Sequence, residues 1–322
     1  MEHYNGRWNN RVTDIVGSRY PVIQGPMRLI TLGEAAAAVS NAGGFGVIAA
    51  SGLSSDELRE DIRRARELSA YPIGINIPIY RPNAFDALEI AIEAGIKTVY
   101  TSAGNPAKVI DLVRTHGVKI IHKISGIEMA KKAEASGVDG VVAMGYEAGG
   151  HVGRDNVTTF CLIPQLVDVL NIPVIASGGI GDARGVVAAF ALGAEGVEIG
   201  TRFVASHDYP VPAFFKEALC QATGTATILL GKEAMPIRVL KNRTTAAVAA
   251  MEAKKADATM VAEGDARYVQ EGGDRESAVM PCGQIAGLVS EVTHIRDIVS
   301  EIISNSKLIA EDLMSLFKGN GK

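Results

Sequence analysis

The chain has 322 residues, 47% hydrophobic and 21% charged, with a formal net charge of −4 and 35 glycines. Those fractions exclude wholesale disorder, and the small acidic excess leaves no electrostatic footprint for nucleic acid. Three cysteines (Cys161, Cys220, Cys282) are too few and too scattered for a disulfide framework or a closed zinc site, so no metal site is expected. The N-terminus lacks an apolar h-region and no run of about 18 apolar residues occurs. The expectation is a soluble cytoplasmic enzyme with no membrane partner.

From Tyr20 the sequence repeats one unit: a β-branched apolar run, a Gly/Asn/Ser-rich break, then an Ala-rich amphipathic stretch. The runs are PVIQGPM, FGVIAAS, PIGINIPI, TVYTSAG, VKIIHKI, GVVAMGYEAGG, PVIASGGI and GVEIGTRFVAS. They recur roughly every 25 residues, the length of one strand plus a crossover helix. They are almost wholly apolar, as suits parallel strands buried on both faces. Between them lie helical stretches such as LGEAAAAVSNAG, SSDELREDIRRARELS and GIEMAKKAEASG, several stopped by Gly. Eight even units favour a (β/α)8 TIM barrel over a doubly wound open sheet. NAGGFG (41–46) precedes a strand rather than following one, so it is a helix stop and not a dinucleotide loop.

After Ser206 the repeat stops. The expected division is a barrel over 1–213, an inserted helical lid over 214–282, and a C-terminal helical segment over 283–322 that returns to the barrel.

In such a barrel, chemistry collects where strands end. The breaks after the seventh and eighth predicted strands, Ser177-Gly178-Gly179 and Gly200-Thr201, suit a phosphate held by main-chain N–H groups. The ligand could be FMN, a sugar phosphate or another phosphorylated molecule; the bland alternative is two tight turns. After the sixth strand, GYEAGGHVG places His151 among glycines at the rim, where an imidazole can donate a hydrogen bond or move a proton. Lys123 ends the fifth strand, where burial demands an anion or an electron-rich ligand edge unless its stem follows the rim to water. Gln24 and Met27 follow the first strand and Asn76 sits in the third, each at the mouth. Cys282 in MPCGQ has no evident partner histidine and reads as a packing residue. HExxH, paired CxxC and GxSxG are absent, so metal and serine hydrolysis find no support.

YPVIQGPM, SNAGGFGVI, GINIPI, AGNP, YEAGGHVG, PVIASGGI, GAEGVEIGTRF and VMPCGQIAGLV together resemble, in order, the nitronate monooxygenase (2-nitropropane dioxygenase) family, which includes flavin-dependent enoyl-acyl carrier protein reductases. The resemblance implies FMN held non-covalently in the barrel. Its phosphate would lie on Gly179, Gly200 and Thr201, with Ser177 and Gly178 close by. Gln24, Gly25, Met27, Asn76, Lys123 and Gly150 match flavin-contacting positions, His151 the active-site histidine, and Gln284 a position near the flavin. YEAGGHVG and VMPCGQIAGLV resemble the enoyl reductase branch. GPM in place of GGM after Gln24, and the IIHKISGIEMAKKAEASGVD stretch, are nearer to the monooxygenases and to NADH:quinone reductases. Oxidation of alkyl nitronates with O2 is the first expectation. NAD(P)H-dependent reduction of an enoyl thioester is the second and quinone reduction the third. The substrate is then a small molecule; an acyl carrier protein partner belongs to the second branch, and a homodimer is compatible with any of them. A non-redox phosphate-binding isomerase or synthase is the remaining alternative.

Overall fold

A computed structural model describes residues 6–232, 235–251, 267–270 and 272–318. Six strands alternate with helices through the first half of the chain. They are β1 (Val22–Gln24), α2 (Gly33–Asn41), β2 (Gly46–Ala49), α3 (Ser55–Leu68), β3 (Ile73–Pro78), α4 (Ala84–Glu93), β4 (Thr98–Ser102), α5 (Ile110–Thr115), β5 (Lys119–Ile124), α6 (Ile127–Ser136) and β6 (Gly140–Met144). After a two-residue strand, β7 (Gly150–His151), the alternation resumes with α7 (Thr159–Val167), β8 (Val174–Ser177), α8 (Ala183–Ala191), β9 (Gly196–Ile199) and the short α9 (Thr201–Val204).

Eight of these strands form one parallel sheet in the order β1-β9-β8-β6-β5-β4-β3-β2. The two ends meet: Phe45 N donates to Val22 O at 2.8 Å, Gln24 N donates to Phe45 O at 3.0 Å, and Ile23 bridges Phe45 in parallel. This is the expected TIM barrel. Alternate residues divide between two apolar layers, as the period of two demands. Ile23, Phe45, Val47, Tyr100, Ile121, Val142 and Ile175 fill the interior. Residues such as Val22, Ile75, Val99, Ile120 and Ala143 face the helices.

The interior is closed from below by a helix that the repeat did not announce, α1 (Arg11–Val16). Its Val12 and Val16 are buried in the interior cluster. Asn10 caps it through Thr13 N at 2.9 Å, Thr13 returns a hydroxyl to Asn10 N at 3.3 Å, and Gly17 ends it at φ +74°. This reciprocal cap satisfies two of the amides a helix start leaves open. Gly46 shows why one strand position must lack a side chain: a Cβ there would lie 1.9 Å from Ala36 O, so α2 packs directly on the β2 backbone.

The segment read from the sequence as helical is mixed. It holds α10 (Ala213–Cys220), the antiparallel pair β10 (Thr227–Leu230) and β11 (Ile237–Leu240), and α11 (Arg243–Ala250). β11 also pairs with β7, with Ile237 opposite His151 and Arg238 opposite Gly150. TILL and IRVL form strands because they bury a small apolar cluster of their own, Leu230, Ile237 and Val239 against Val248 of α11. The chain ends in α12 (Ile295–Lys318), whose first half packs on α8 and α2 through Ile295, Ile298, Val299, Ile302 and Ile303 and completes the helix ring.

Candidate functional site

The C-terminal ends of β8 and β9 present adjacent glycine turns. Gly178 and Gly179 adopt φ of +95° and +73°, a region glycine enters without steric cost. Gly178 is also needed for packing, since a Cβ would come within 3.0 Å of Ala148 N. Gly179 is exposed, and the nearest atoms to a Cβ there, on Glu147, are 3.6 Å away. Gly200 has φ −115°, which any residue adopts, and a Cβ would meet only Met27 Sδ at 3.8 Å. Neither a left-handed φ nor a clash with the protein explains the missing side chain at 200. Beside it, the Thr201 hydroxyl accepts from Gly283 N at 2.8 Å.

That contact is one end of a tight return. Gln284 N donates to Glu147 O at 2.9 Å, and a Cβ on Gly149 would lie 2.4 Å from the Cys282 carbonyl carbon. The CGQ segment therefore lies directly on the loop after β6, with Gln284 exposed. Cys282 is fully buried, and burial pushes its thiol well above the ordinary range, which keeps it protonated and inert. Glu147, although beside the site, is committed to the fold: its carboxylate accepts from Thr159 N at 2.9 Å and from the Thr159 hydroxyl at 3.1 Å. Arg238, absent from the sequence reading, is buried over the Tyr146 ring at 4.7 Å and donates to Tyr146 O at 3.0 Å. It ties the β10-β11 pair to the same loop. His151 is exposed on β7, at the seam between barrel and appended sheet.

One layer inward lies a polar floor. Glu198 of β9 is 4% exposed, and its Oε1 receives Lys123 Nζ at 2.6 Å and the Ser177 hydroxyl at 2.6 Å. The Tyr100 hydroxyl donates to Oε2. Burial first, and then the Glu198 charge, raises the Tyr100 phenol well above its ordinary value, so it stays a donor. Asn76 donates to Tyr100 O at 3.2 Å and to Ser102 Oγ at 3.4 Å. Thus Lys123, Ser177 and Asn76 converge, while Glu198 and Tyr100 complete a cluster the sequence did not single out. The one clue was a carboxylate inside the apolar GVEIG run.

Gln24 stands apart. It is fully buried, its Oε1 accepts from Val47 N at 2.9 Å and its Nε2 donates to the Tyr209 hydroxyl at 2.7 Å. Its side chain is thus engaged within the protein. Gly25 and Met27 continue from it to the mouth, where Met27 neighbours Gly200. His122, next to Lys123, faces the helix layer: it is buried, bonded to Thr101 Oγ1 at 2.8 Å, and held by burial at about 4. His207 lies outside, its ring 5.0 Å from that of His294. Among the described residues no group of three or more His, Cys, Asp or Glu could hold a metal, and no helix is long and apolar enough to cross a membrane.

The family model for nitronate monooxygenase matches residues 9–305, from the helix below the barrel to the first half of α12. The chain belongs to the nitronate monooxygenase family. It is 35% identical over 266 residues to a probable nitronate monooxygenase of Staphylococcus saprophyticus, covering 69% of this chain and 75% of that one. It is also 33% identical over 239 residues to a Mycobacterium tuberculosis (3aS,4S,5R,7aS)-5-hydroxy-7a-methyl-1-oxo-octahydro-1H-indene-4-carboxyl-CoA dehydrogenase, covering 73% of this chain and 67% of that one. Among solved structures, FabK from Thermotoga maritima superposes with a TM-score of 0.91 at 37% identity, covering 96% of this chain and 99% of FabK. A nitroalkane oxidase from Streptomyces ansochromogenes, at 24% identity and a TM-score of 0.84, shares the fold. Members of the nitronate monooxygenase family are oxidoreductases, and this chain is an oxidoreductase of that family.

Proposed function

We propose that this protein binds FMN and oxidises alkyl nitronates with O2. The observation that carries the cofactor assignment is the cradle at the ends of β8 and β9. A Cβ at Gly179 or Gly200 would meet only side-chain atoms at ordinary contact distance, 3.6 and 3.8 Å, and the φ of −115° at Gly200 lies outside the region that favours glycine. Main-chain N–H groups of Gly179, Gly200 and Thr201 would hold the phosphate, as glycine turns at strand ends do for anions. Bound there, FMN supplies the electron transfer that no side chain of the protein can perform.

The other steps fall to the chain's own residues. The floor of Lys123, Glu198, Ser177, Tyr100 and Asn76 seals the barrel interior beneath the mouth. His151 donates a hydrogen bond to the delocalised oxyanion of the substrate, holding it in place while electrons leave. Where the reaction needs a proton, the same imidazole delivers it. The 214–282 segment, anchored to the His151 strand through β11, bounds the cleft as a lid. Residues 233–234, 252–266 and 271 of that lid lie outside the described residues.

A second reading, NAD(P)H-dependent reduction of an enoyl thioester, is favoured by the end-to-end match to FabK at 37% identity. In it His151 serves as the acid at the substrate. Purified protein is first scanned for the flavin band near ~450 nm. Oxygen uptake is then followed with a nitronate and no nicotinamide, and afterwards nicotinamide oxidation with an enoyl thioester or a quinone. Oxygen uptake driven by nitronate alone supports the first reading. Its absence, with enoyl-dependent loss of NAD(P)H, replaces it by the second. A protein that remains colourless after incubation with FMN overturns both.

A further inference from the structure

The Lys123–Glu198 pair needs an explanation that stability does not provide. Removing two charges from water is costly, and well-packed apolar residues commonly serve a core as well or better. Here the carboxylate is saturated: Lys123 from β5 and Ser177 from β8 reach Oε1, both at 2.6 Å, and Tyr100 from β4 reaches Oε2. Four strands of the barrel thus converge on one ion pair. Its position follows from the strand period. Ser177 follows Ile175 of the interior layer by two residues and bonds Glu198, so both side chains point into the barrel, one residue before Gly178 and two before Gly200 respectively. The pair thus lies in the barrel interior at the strand ends from which the glycine turns leave. Lys123 is the more open partner, with 18% of its side chain exposed against 3% for Glu198.

We propose that Glu198 is a positioning residue that fixes the Lys123 ammonium beneath the bound cofactor and cancels its charge, thereby setting the reduction potential of the flavin. The inference rests on the FMN reading above. Reduced flavin carries more negative charge than oxidised flavin, so an unbalanced ammonium beside it favours reduction and an unbalanced carboxylate opposes it. With both present, and with Tyr100 and Ser177 neutral, the floor carries no net charge, and the flavin meets hydrogen-bonded dipoles instead of an ion.

The experiment is a dye-coupled reductive titration of the FMN-loaded protein, with FMN content and thermal unfolding measured on each sample. Glu198→Gln, nearly the same shape, is expected to favour reduced flavin at least tenfold, which for a two-electron couple is a shift of about 30 mV upward. Lys123→Met is expected to move the potential downward, and the double variant to return it close to the starting value. If both single variants hold FMN and their potentials stay in place, or move in the same direction, the proposal is overturned. A purely structural role would lower FMN content or the melting temperature without this opposed pair of shifts. Should Glu198→Gln fail to fold or to hold FMN, Tyr100→Phe decides. It keeps both charges but strips one donor from Oε2, and a downward shift supports the proposal while an unchanged potential overturns it. If the unmodified protein takes up no FMN, it is the functional reading that fails, a result distinct from a loaded protein with unmoved potentials.

Discussion

Gly200→Ala separates a cradle for a ligand from a tight turn. At φ −115° an alanine is conformationally unstrained, and its Cβ would have Met27 Sδ as nearest neighbour at 3.8 Å, an ordinary contact. Apo stability should therefore hold or rise, by roughly 0.4–1 kcal/mol, since alanine restricts the unfolded chain more than glycine does. Binding should suffer instead. Under the proposed reading the new methyl stands where a phosphate oxygen would approach the main-chain N–H groups, and losing one charge-assisted hydrogen bond costs about 1.5–3 kcal/mol. That converts to FMN affinity weaker by roughly 10- to 150-fold. The assay pairs denaturant unfolding of the apoprotein with an FMN fluorescence titration of each form. Gly46→Ala is the control, because a Cβ 1.9 Å from Ala36 O must displace backbone and lower stability directly. Unaltered FMN affinity in Gly200→Ala would refute the cradle. So would a fall in its apo stability as large as the fall in binding energy, because the turn itself would then be what glycine serves.

His151→Ala should lower turnover by roughly 10²- to 10⁴-fold while leaving FMN content intact, and an unchanged rate removes the histidine from the chemistry. His122 gives a pH prediction with a defined sign. Burial lowers it from 6.5 to about 4, so between those values the unfolded chain takes up a proton that the folded one does not. Its contribution to stability is whole above pH 6.5 and is lost as pH falls toward 4, by up to roughly 3 kcal/mol. Comparing the pH dependence of unfolding with that of His122→Gln isolates the effect; parallel curves would contradict it. Val12→Ala should cost roughly 1–3 kcal/mol, because the methyl groups it removes plug the closed end of the barrel. A denaturant midpoint equal to that of the unmodified protein would show that α1 contributes nothing there.

The barrel was legible because each of its strands is a buried apolar run and each returns after a similar interval. Even the closing contact of Val22 with Phe45 needed no cue beyond that count. What escaped were contacts made across the fold. The six residues of α1 lie outside the repeat, and their apolar positions make sense only once a barrel floor exists to receive Val12 and Val16. β7 is two residues long and becomes a strand through β11, far along the chain, so no local pattern marks it. The same applies to Tyr100 and Glu198. A lone lysine in a strand signals that some anion is needed, and the spacing of residues cannot say that the anion lies 75 positions away. Gln24 illustrates the reverse: a polar residue at the right end of the right strand, whose side chain is occupied by Val47 and Tyr209.

His151 is carried by the appended sheet, whereas Gly179 and Gly200 belong to barrel turns. Under the proposed reading, the anchor for the cofactor and the donor for the substrate are mounted on two different frames, joined where β11 meets β7 and where Arg238 reaches Tyr146. A substitution that reshapes β10 or β11 to admit a larger substrate would carry the imidazole with it, so selectivity and proton delivery change together. The glycines of the proposed cofactor seat would themselves be unchanged. Variation in the appended segment can therefore redirect the chemistry of such a barrel without a single change in its eight parallel strands.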